Sequence, residues 1–338
     1  MNVRSPKVAL LEVSHWHAPL YFDALDALDV PVVAVSDEIA EVSESVAARF
    51  GCRHYRDFRL LLDKERPEFV FVFGKHRQMP DIARSVIEAG AGMAIEKPVG
   101  ISSAPVSEIY RLATQRSAFV AIPFVLRHSP LFRRIQESIG DGPFGRLTHM
   151  CCRFIAGPPQ RYLQTSSGWM LDRSVSGGGC TINLGVHFID LFLHLVTPAH
   201  VSEVFAAMSN RKYQLSIEDF SSISLLASDG TRSTVETGYA YPSSLRDLRD
   251  IGYFLTTTAG YLKITAGEAC WRGHDGSSWH ETPVTAMEPF YRLFVEDTLR
   301  AFVEGNEPAA SLSEMVAVMQ VIDAAYTSAE EGRIVAPE

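Results

Sequence analysis

The stretch Phe69-Val70-Phe71-Val72-Phe73-Gly74-Lys75-His76-Arg77-Gln78-Met79-Pro80-Asp81-Ile82-Ala83-Arg84-Ser85-Val86-Ile87-Glu88-Ala89-Gly90-Ala91-Gly92-Met93-Ala94-Ile95-Glu96-Lys97-Pro98 decides the fold. Its first five residues, Phe69–Phe73, are all apolar and β-prone, as in a strand covered on both faces. Asp81–Ala89 carries a helical pattern that Gly90 stops, and Met93–Ile95 is a strand again. A strand, a helix and a strand in such short order need a crossover connection. The two strands are therefore parallel, with helices on the faces of their sheet.

The same alternation runs outward on both sides. Val8–Leu11 is a buried strand by composition, and Pro19 suits the first turn of a helix on which Leu20, Ala24 and Leu28 recur. Pro31–Val35 is a second strand, and Ile39–Phe50 a helix stopped by Gly51. Ser102–Ala118 is helical, and Phe119–Phe124 is the last strand of this half. The natural architecture is the doubly wound, dinucleotide-binding (Rossmann) sheet over residues 1–123.

After residue 124 the pattern changes. Ser129–Ile139 is helical, ending at Gly140-Asp141-Gly142-Pro143, and Arg146–Ile155 is a long strand. An irregular stretch, Gly157–Gly179, leads to a helix at Leu184–Leu195. From Val201 to about Thr265 only strand runs and turns follow, which predicts antiparallel meander pairing. Helices at Glu288–Val303 and Leu312–Glu330 close the chain. The expected second domain, 124–304, is α+β with an open, mainly antiparallel sheet, and 305–338 is expected to pack a helix back on the first domain.

Composition narrows the function classes. The 338 residues are 46% hydrophobic and 21% charged, as in globular proteins. The net charge of −9 argues against nucleic acid or an anionic membrane as main partner, since both need a basic footprint. No apolar run is long enough for a signal core or a membrane span. Cysteines at 52, 151, 152, 180 and 270 are odd in number and form no C-x-x-C. That pattern suits a reducing cytoplasm and indicates neither disulfide framework nor zinc site.

Two segments could carry chemistry. Glu96-Lys97-Pro98 follows a buried strand directly, at the carboxyl edge where ligands of such sheets bind. A lysine held there can donate to a substrate hydroxyl, and burial would lower its pKa; a solvated lysine beside a turn proline explains the tripeptide more simply. In Gly177-Gly178-Gly179-Cys180-Thr181-Ile182-Asn183-Leu184-Gly185-Val186-His187, Asn183 and His187 share a helix face. A base beside a hydrogen-bonding partner is what alcohol oxidation requires. A capped helix with a satisfied core histidine is the structural alternative.

Together these segments are far more specific. With Arg127-His128-Ser129-Pro130, Gly140-Asp141-Gly142-Pro143-Phe144-Gly145, Trp169-Met170-Leu171-Asp172 and Ala324-Ala325-Tyr326-Thr327-Ser328-Ala329, the chain resembles the glucose–fructose oxidoreductase and inositol dehydrogenase (Gfo/Idh/MocA) family from about residue 7 to 335. The resemblance implies an NAD- or NADP-dependent oxidoreductase acting on sugars, cyclitols or other polyols, with Lys97 and His187 as catalytic pair and Asn183 orienting His187. Arg127, Arg153, Tyr162, Trp169, Asp172 and Tyr291 are candidate substrate contacts, each equally compatible with a structural role.

The chain departs from the family at the first strand–helix turn. G-x-G-x-x-G is replaced by Glu12-Val13-Ser14-His15-Trp16-His17, with Glu12, Ser14 and His17 in the glycine places. Side chains there should push a diphosphate outward, while Ser14, His15 and His17 could donate to it at a helix N-terminus. His15 and His17 are too few for a metal site. Asp37, twenty residues beyond His17, stands where an acid meets the adenosine ribose, which favours NAD over NADP; capping the helix Ile39–Phe50 explains it equally well. Gly74, Lys75, His76 and Arg77 form an unusually cationic edge where the family has Thr-Pro-Asn-x-x-His. With Glu96, Lys97 and Pro98, Gly74 and His76 complete the expected cofactor contacts. Two other classes fit less well: a redox-neutral enzyme holding NAD tightly, and a non-catalytic sensor that keeps the fold. The open second sheet implies a homodimer or homotetramer.

Overall fold

The computed structural model describes residues 6–242 and 249–338. In chain order the elements are β1 (Val8–Leu11), α1 (Ala18–Ala27), β2 (Val32–Ser36), α2 (Ala40–Phe50), β3 (Arg53–Tyr55), α3 (Phe58–Glu65), β4 (Phe69–Val72), α4 (Met79–Glu88), β5 (Gly92–Ile95), α5 (Ser103–Arg116), β6 (Val120–Ala121), α6 (Pro130–Ser138), β7 (Leu147–Ala156), α7 (Arg173–Ser176) and α8 (Val186–Val196). β8 (Val201–Ser209), β9 (Phe220–Ala227), β10 (Arg232–Gly238), β11 (Arg249–Thr257), β12 (Gly260–Thr265), β13 (Glu268–Gly273), β14 (Ser278–Glu281), α9 (Glu288–Glu304) and α10 (Leu312–Glu331) follow.

The chain divides into two compact units that are not continuous in sequence. The first holds residues 1–125, 162–177 and 288–316; the second holds 126–161, 178–287 and 317–338. The linear boundaries expected from sequence differ from this: 162–177 and 288–304 join the first unit, and 317–338 the second.

The first unit is a six-stranded parallel sheet in the order β3-β2-β1-β4-β5-β6. β1, β4 and β5 are buried at every position, which is why they read as continuous apolar runs. Between β1 and β4 the strand order reverses, the place at the strands' carboxyl ends where sheets of this kind bind ligands. The short β3 and α3 carry little sequence signal: β3 is three half-exposed or exposed residues at the sheet edge. Of the strand expected at Phe119–Phe124, only Val120–Ala121 pairs, because Val125–His128 tightens into a 3-10 turn directly after it.

The second unit has one eight-stranded sheet, β14-β13-β12-β11-β7-β10-β9-β8. All neighbours are antiparallel except β7 and β10, which run parallel. The sheet is mainly antiparallel as expected, and the meander is interrupted at one seam: β7 enters the sheet centre from before α8, so β10 meets it with the same direction. α8 packs Phe188 against Phe154 and Tyr253 of the sheet. Among the described residues, one segment, Arg173–Val196, is long and apolar enough to cross a membrane, and 83% of its apolar window is buried within the protein.

Candidate active site

Each candidate residue lies in one of the two units, and each unit builds its own constellation. In the first, the β1–α1 turn, the β4–α4 turn and the segment Glu96–Pro98 line the crevice at the switch point.

The β1–α1 turn keeps a glycine-like backbone without glycine. Glu12 takes φ +61°, the left-handed conformation that the first glycine of the motif would adopt at no cost. Most amides of the turn are spent inside the protein. Glu12 N donates to Ser36 O at 2.8 Å, Ser14 N to Asp37 Oδ2 at 2.6 Å, Trp16 N to Ser167 Oγ at 3.0 Å and His17 N to His15 Nδ1 at 3.1 Å. Asp37 is 0% exposed, and its other oxygen accepts from Ile39 N at 2.8 Å, so this one carboxylate caps α2 and ties down the turn. Burial, then the carboxylates of Asp37 and Glu38, pushes Glu12 up to about 7. Beside Glu12 opens a cleft of about 310 Å³ lined by Glu38, Arg56, Phe58, Gln78 and Ile82 among others. Lys75 pairs with Glu38 at this edge. A Cβ on Gly74 would stand 2.4 Å from Ile82 Cδ1, so the end of that side chain would have to shift.

Toward β5 the crevice becomes a box of rings. Glu96, 1% exposed, accepts from Tyr21 Oη at 2.6 Å and lies 3.1 Å from His17 Nδ1, which in turn is 3.3 Å from Tyr291 Oη. His15 and His76 flank Trp169, with ring centroids 5.7 and 4.9 Å away. Burial holds His15 far below the usual histidine range and lowers His76 to about 4. His76 is thus neutral near pH 7, with its Nδ1 hydrogen directed at Ser176 O at 2.7 Å. Lys97 is 3% exposed; burial lowers it to about 8 against the opposing charge of Glu96. Pro98 beside it is also buried.

In the second unit, Asn183 sits in a π-helical turn, Thr181–Gly185, immediately before α8, and His187 lies in the first turn of α8. The straight helix expected at Leu184–Leu195 therefore starts later, and the i, i+4 geometry of Asn183 and His187 is replaced by a wider turn. Asn183 Nδ2 donates to Tyr239 Oη at 3.0 Å, and His187 is 4% exposed. The glycines before this turn admit neighbouring chain. A Cβ on Gly179 would stand 2.0 Å from the Glu218 carbonyl oxygen, and one on Gly178 would stand 1.8 Å from Tyr326 Oη. The Glu218 carboxylate accepts from Gly179 N, Thr181 N and Tyr326 Oη, each at 2.9 Å, and so caps the turn from another part of the chain.

Several expected substrate contacts have structural duties. Arg127 grips Asp190 with its fork, at 3.0 and 2.5 Å, both residues buried. Asp172 is exposed and caps α7 through Ser174 N at 2.9 Å. Arg153 is on the sheet with Asp250, 3.2 Å away. Tyr162, Trp169 and Tyr291 remain against the ring box. Cys180 is buried and directs its Sγ at Thr237 O. Among the described residues no group of three His, Cys, Asp or Glu side chains is placed to hold a metal ion. Sequence reasoning missed Tyr21, Ser167, Glu218 and Tyr239. Only the glycine run signalled Glu218, as a place where something must approach closely.

Comparison with known proteins identifies both halves of the chain. Residues 14–124 match the family model described as oxidoreductase family, NAD-binding Rossmann fold, and residues 132–262 match the GFO/IDH/MocA C-terminal domain. D-apiose dehydrogenase of Paraburkholderia graminis is 22% identical over 348 residues, covering 95% of this chain and 86% of that protein. Inositol 2-dehydrogenase of Rhizobium meliloti is 21% identical, covering 90% and 91%. Among solved structures, a levoglucosan dehydrogenase in complex with NADH and levoglucosan superposes with a TM-score of 0.84 at 17% identity, covering 99% of this chain and 100% of that one. With an NAD-binding domain matched at one end and the family's own C-terminal domain at the other, the chain belongs to the Gfo/Idh/MocA family of oxidoreductases.

Proposed function

We propose that this protein moves a hydride between a nicotinamide dinucleotide and a secondary alcohol of a sugar, cyclitol or related polyol, with Lys97 and His187 as catalytic pair. The observation that carries the reading is Lys97: a lysine 3% exposed, at the carboxyl end of β5, lowered to about 8 by burial. The names of the relatives, dehydrogenases of apiose and inositol, support the substrate class.

On this reading the cleft beside Glu12 would take the adenosine, the β1–α1 turn with Ser14, His15 and His17 would meet the diphosphate, and Gly74, His76, Glu96, Lys97 and Pro98 would lie toward the nicotinamide. When bound, the dinucleotide supplies the hydride acceptor. Lys97 then donates a hydrogen bond to the substrate oxygen and stabilises its developing negative charge, Glu96 keeps that ammonium in place, and His187 takes the hydroxyl proton. The negative charges of Asp37, which caps α2, and of Glu38 at the cleft disfavour a 2′-phosphate, hence NAD. In the sheet of the second unit, Phe205, Ser224, Thr234, Cys151 and Phe254 form an outward row in register, and we expect a second copy to cover it as a homodimer or homotetramer in the cytoplasm.

Steady-state kinetics over a panel of polyols tests the reaction. Lys97→Ala and His187→Ala should each lower turnover at least about a hundredfold. In the wild type, turnover should fall as pH rises through about 8, because the Lys97 ammonium is lost there. Full activity in both variants would remove this mechanism.

A further inference from the structure

The β1–α1 turn spends on itself the donors that a Rossmann turn offers to a diphosphate. Ser14 N is on Asp37, Trp16 N on Ser167 and His17 N on His15. Ser167 Oγ also reaches Ser14 O at 3.4 Å, so the hydroxyl sits across the turn. A side-chain donor of the turn is left over. The indole Nε1 of Trp16 is buried and has no hydrogen-bond partner, while its ring packs against His17 and Tyr162, with centroids 3.6 and 5.7 Å away. A buried N–H without an acceptor is a standing cost to the free protein, and it is recovered when an acceptor arrives.

We infer that Trp16 is a dinucleotide-binding residue in place of the missing glycines: the diphosphate displaces the Ser167 hydroxyl and accepts from both the backbone amide and the indole Nε1–H of Trp16. This rests on the dinucleotide reading given above. The chemistry explains why a tryptophan can stand in a turn whose glycines are gone. Glycine lets the diphosphate approach the backbone; here a side-chain donor would meet a diphosphate held farther out by the side chains of Glu12 and Ser14. Displacing Ser167 exchanges two neutral hydrogen bonds, one of them long, for charge-assisted ones.

The two residues make opposite contributions, which gives the inference a sign test. NAD and ADP-ribose, the latter lacking nicotinamide, are titrated by calorimetry into wild type, Trp16→Phe and Ser167→Ala, with thermal midpoints measured on the free proteins. Trp16→Phe should weaken both ligands at least about tenfold without lowering the midpoint, since it removes a donor that had no partner. Ser167→Ala should tighten both, about fivefold, since it removes the group that must leave. Unchanged affinity in Trp16→Phe, a loss confined to NAD, or weaker binding in Ser167→Ala would each overturn the inference and leave the cofactor reading standing. Should Trp16→Phe fail to fold, the sign in Ser167→Ala decides alone. Wild type that binds neither ligand would remove both the inference and the dinucleotide reading.

Discussion

The turn at residues 12–17 and the run at 177–187 are both places where a chain of this family is expected to need glycine, and they have gone opposite ways. At 177–179 every glycine is present, because the neighbour is the protein itself: the carbonyl of Glu218 and the hydroxyl of Tyr326 stand where side chains would be. At 12, 14 and 17 every glycine is replaced, and on the proposed reading the neighbour there is a ligand that other atoms can hold. A fold cannot move its own backbone away from an added Cβ at 2.0 Å, but a diphosphate can sit farther out and be met by a side chain. The glycines that survive mark fixed packing, and those that vanish mark negotiable contact.

Substitutions at the two places should differ most in stability. Gly179→Ala should destabilise the protein by about 3 kcal/mol or prevent its folding, since the clash is with backbone. Ser14→Gly, restoring a motif glycine, should cost no more than about 1 kcal/mol, from backbone entropy alone. Urea unfolding of both variants checks this, and a Gly179→Ala protein as stable as wild type would break the comparison.

A smaller effect separates the turn's charges from its shape. Glu12 is raised to about 7 in the folded chain, above its value when unfolded. Below about pH 4 both states hold the proton, and Glu12 costs nothing. As pH rises toward 7 the unfolded chain loses the proton first, so stability falls, and above 7 the full penalty persists. Glu12→Gln should therefore raise the thermal midpoint at pH 8 and leave it unchanged at pH 4. A rise of equal size at both values would show that packing, not charge, governs the position.

The parallel sheet was legible from Phe69–Phe73 and Met93–Ile95 because strands covered on both faces leave nothing but apolar residues. The placement of Lys97 just after a buried strand and of His187 on a helix was legible because Met93–Ile95 is wholly apolar and the run around His187 is strongly apolar. What did not show was whatever depends on partners far along the chain. Asp37 capping both Ser14 and Ile39, Glu218 capping the π turn, and Ser167 lying on the β1–α1 turn all require knowing which distant segment arrives. The parallel seam of β7 and β10 escaped for the same reason: periodicity tells which face a strand buries and says nothing about which strand it meets. The fork of Arg127 was open to a substrate until Asp190, sixty-three residues on, was seen to fill it.

The measurement that bears most directly on the rebuilt turn is a crystal structure of the protein with NAD. The expected result is dinucleotide density running from the cleft beside Glu12, across Ser14–His17 with the Ser167 hydroxyl displaced, to a nicotinamide beside Lys97. A well-ordered crevice at saturating NAD with Ser167 still on Trp16 and no dinucleotide across the turn would contradict it.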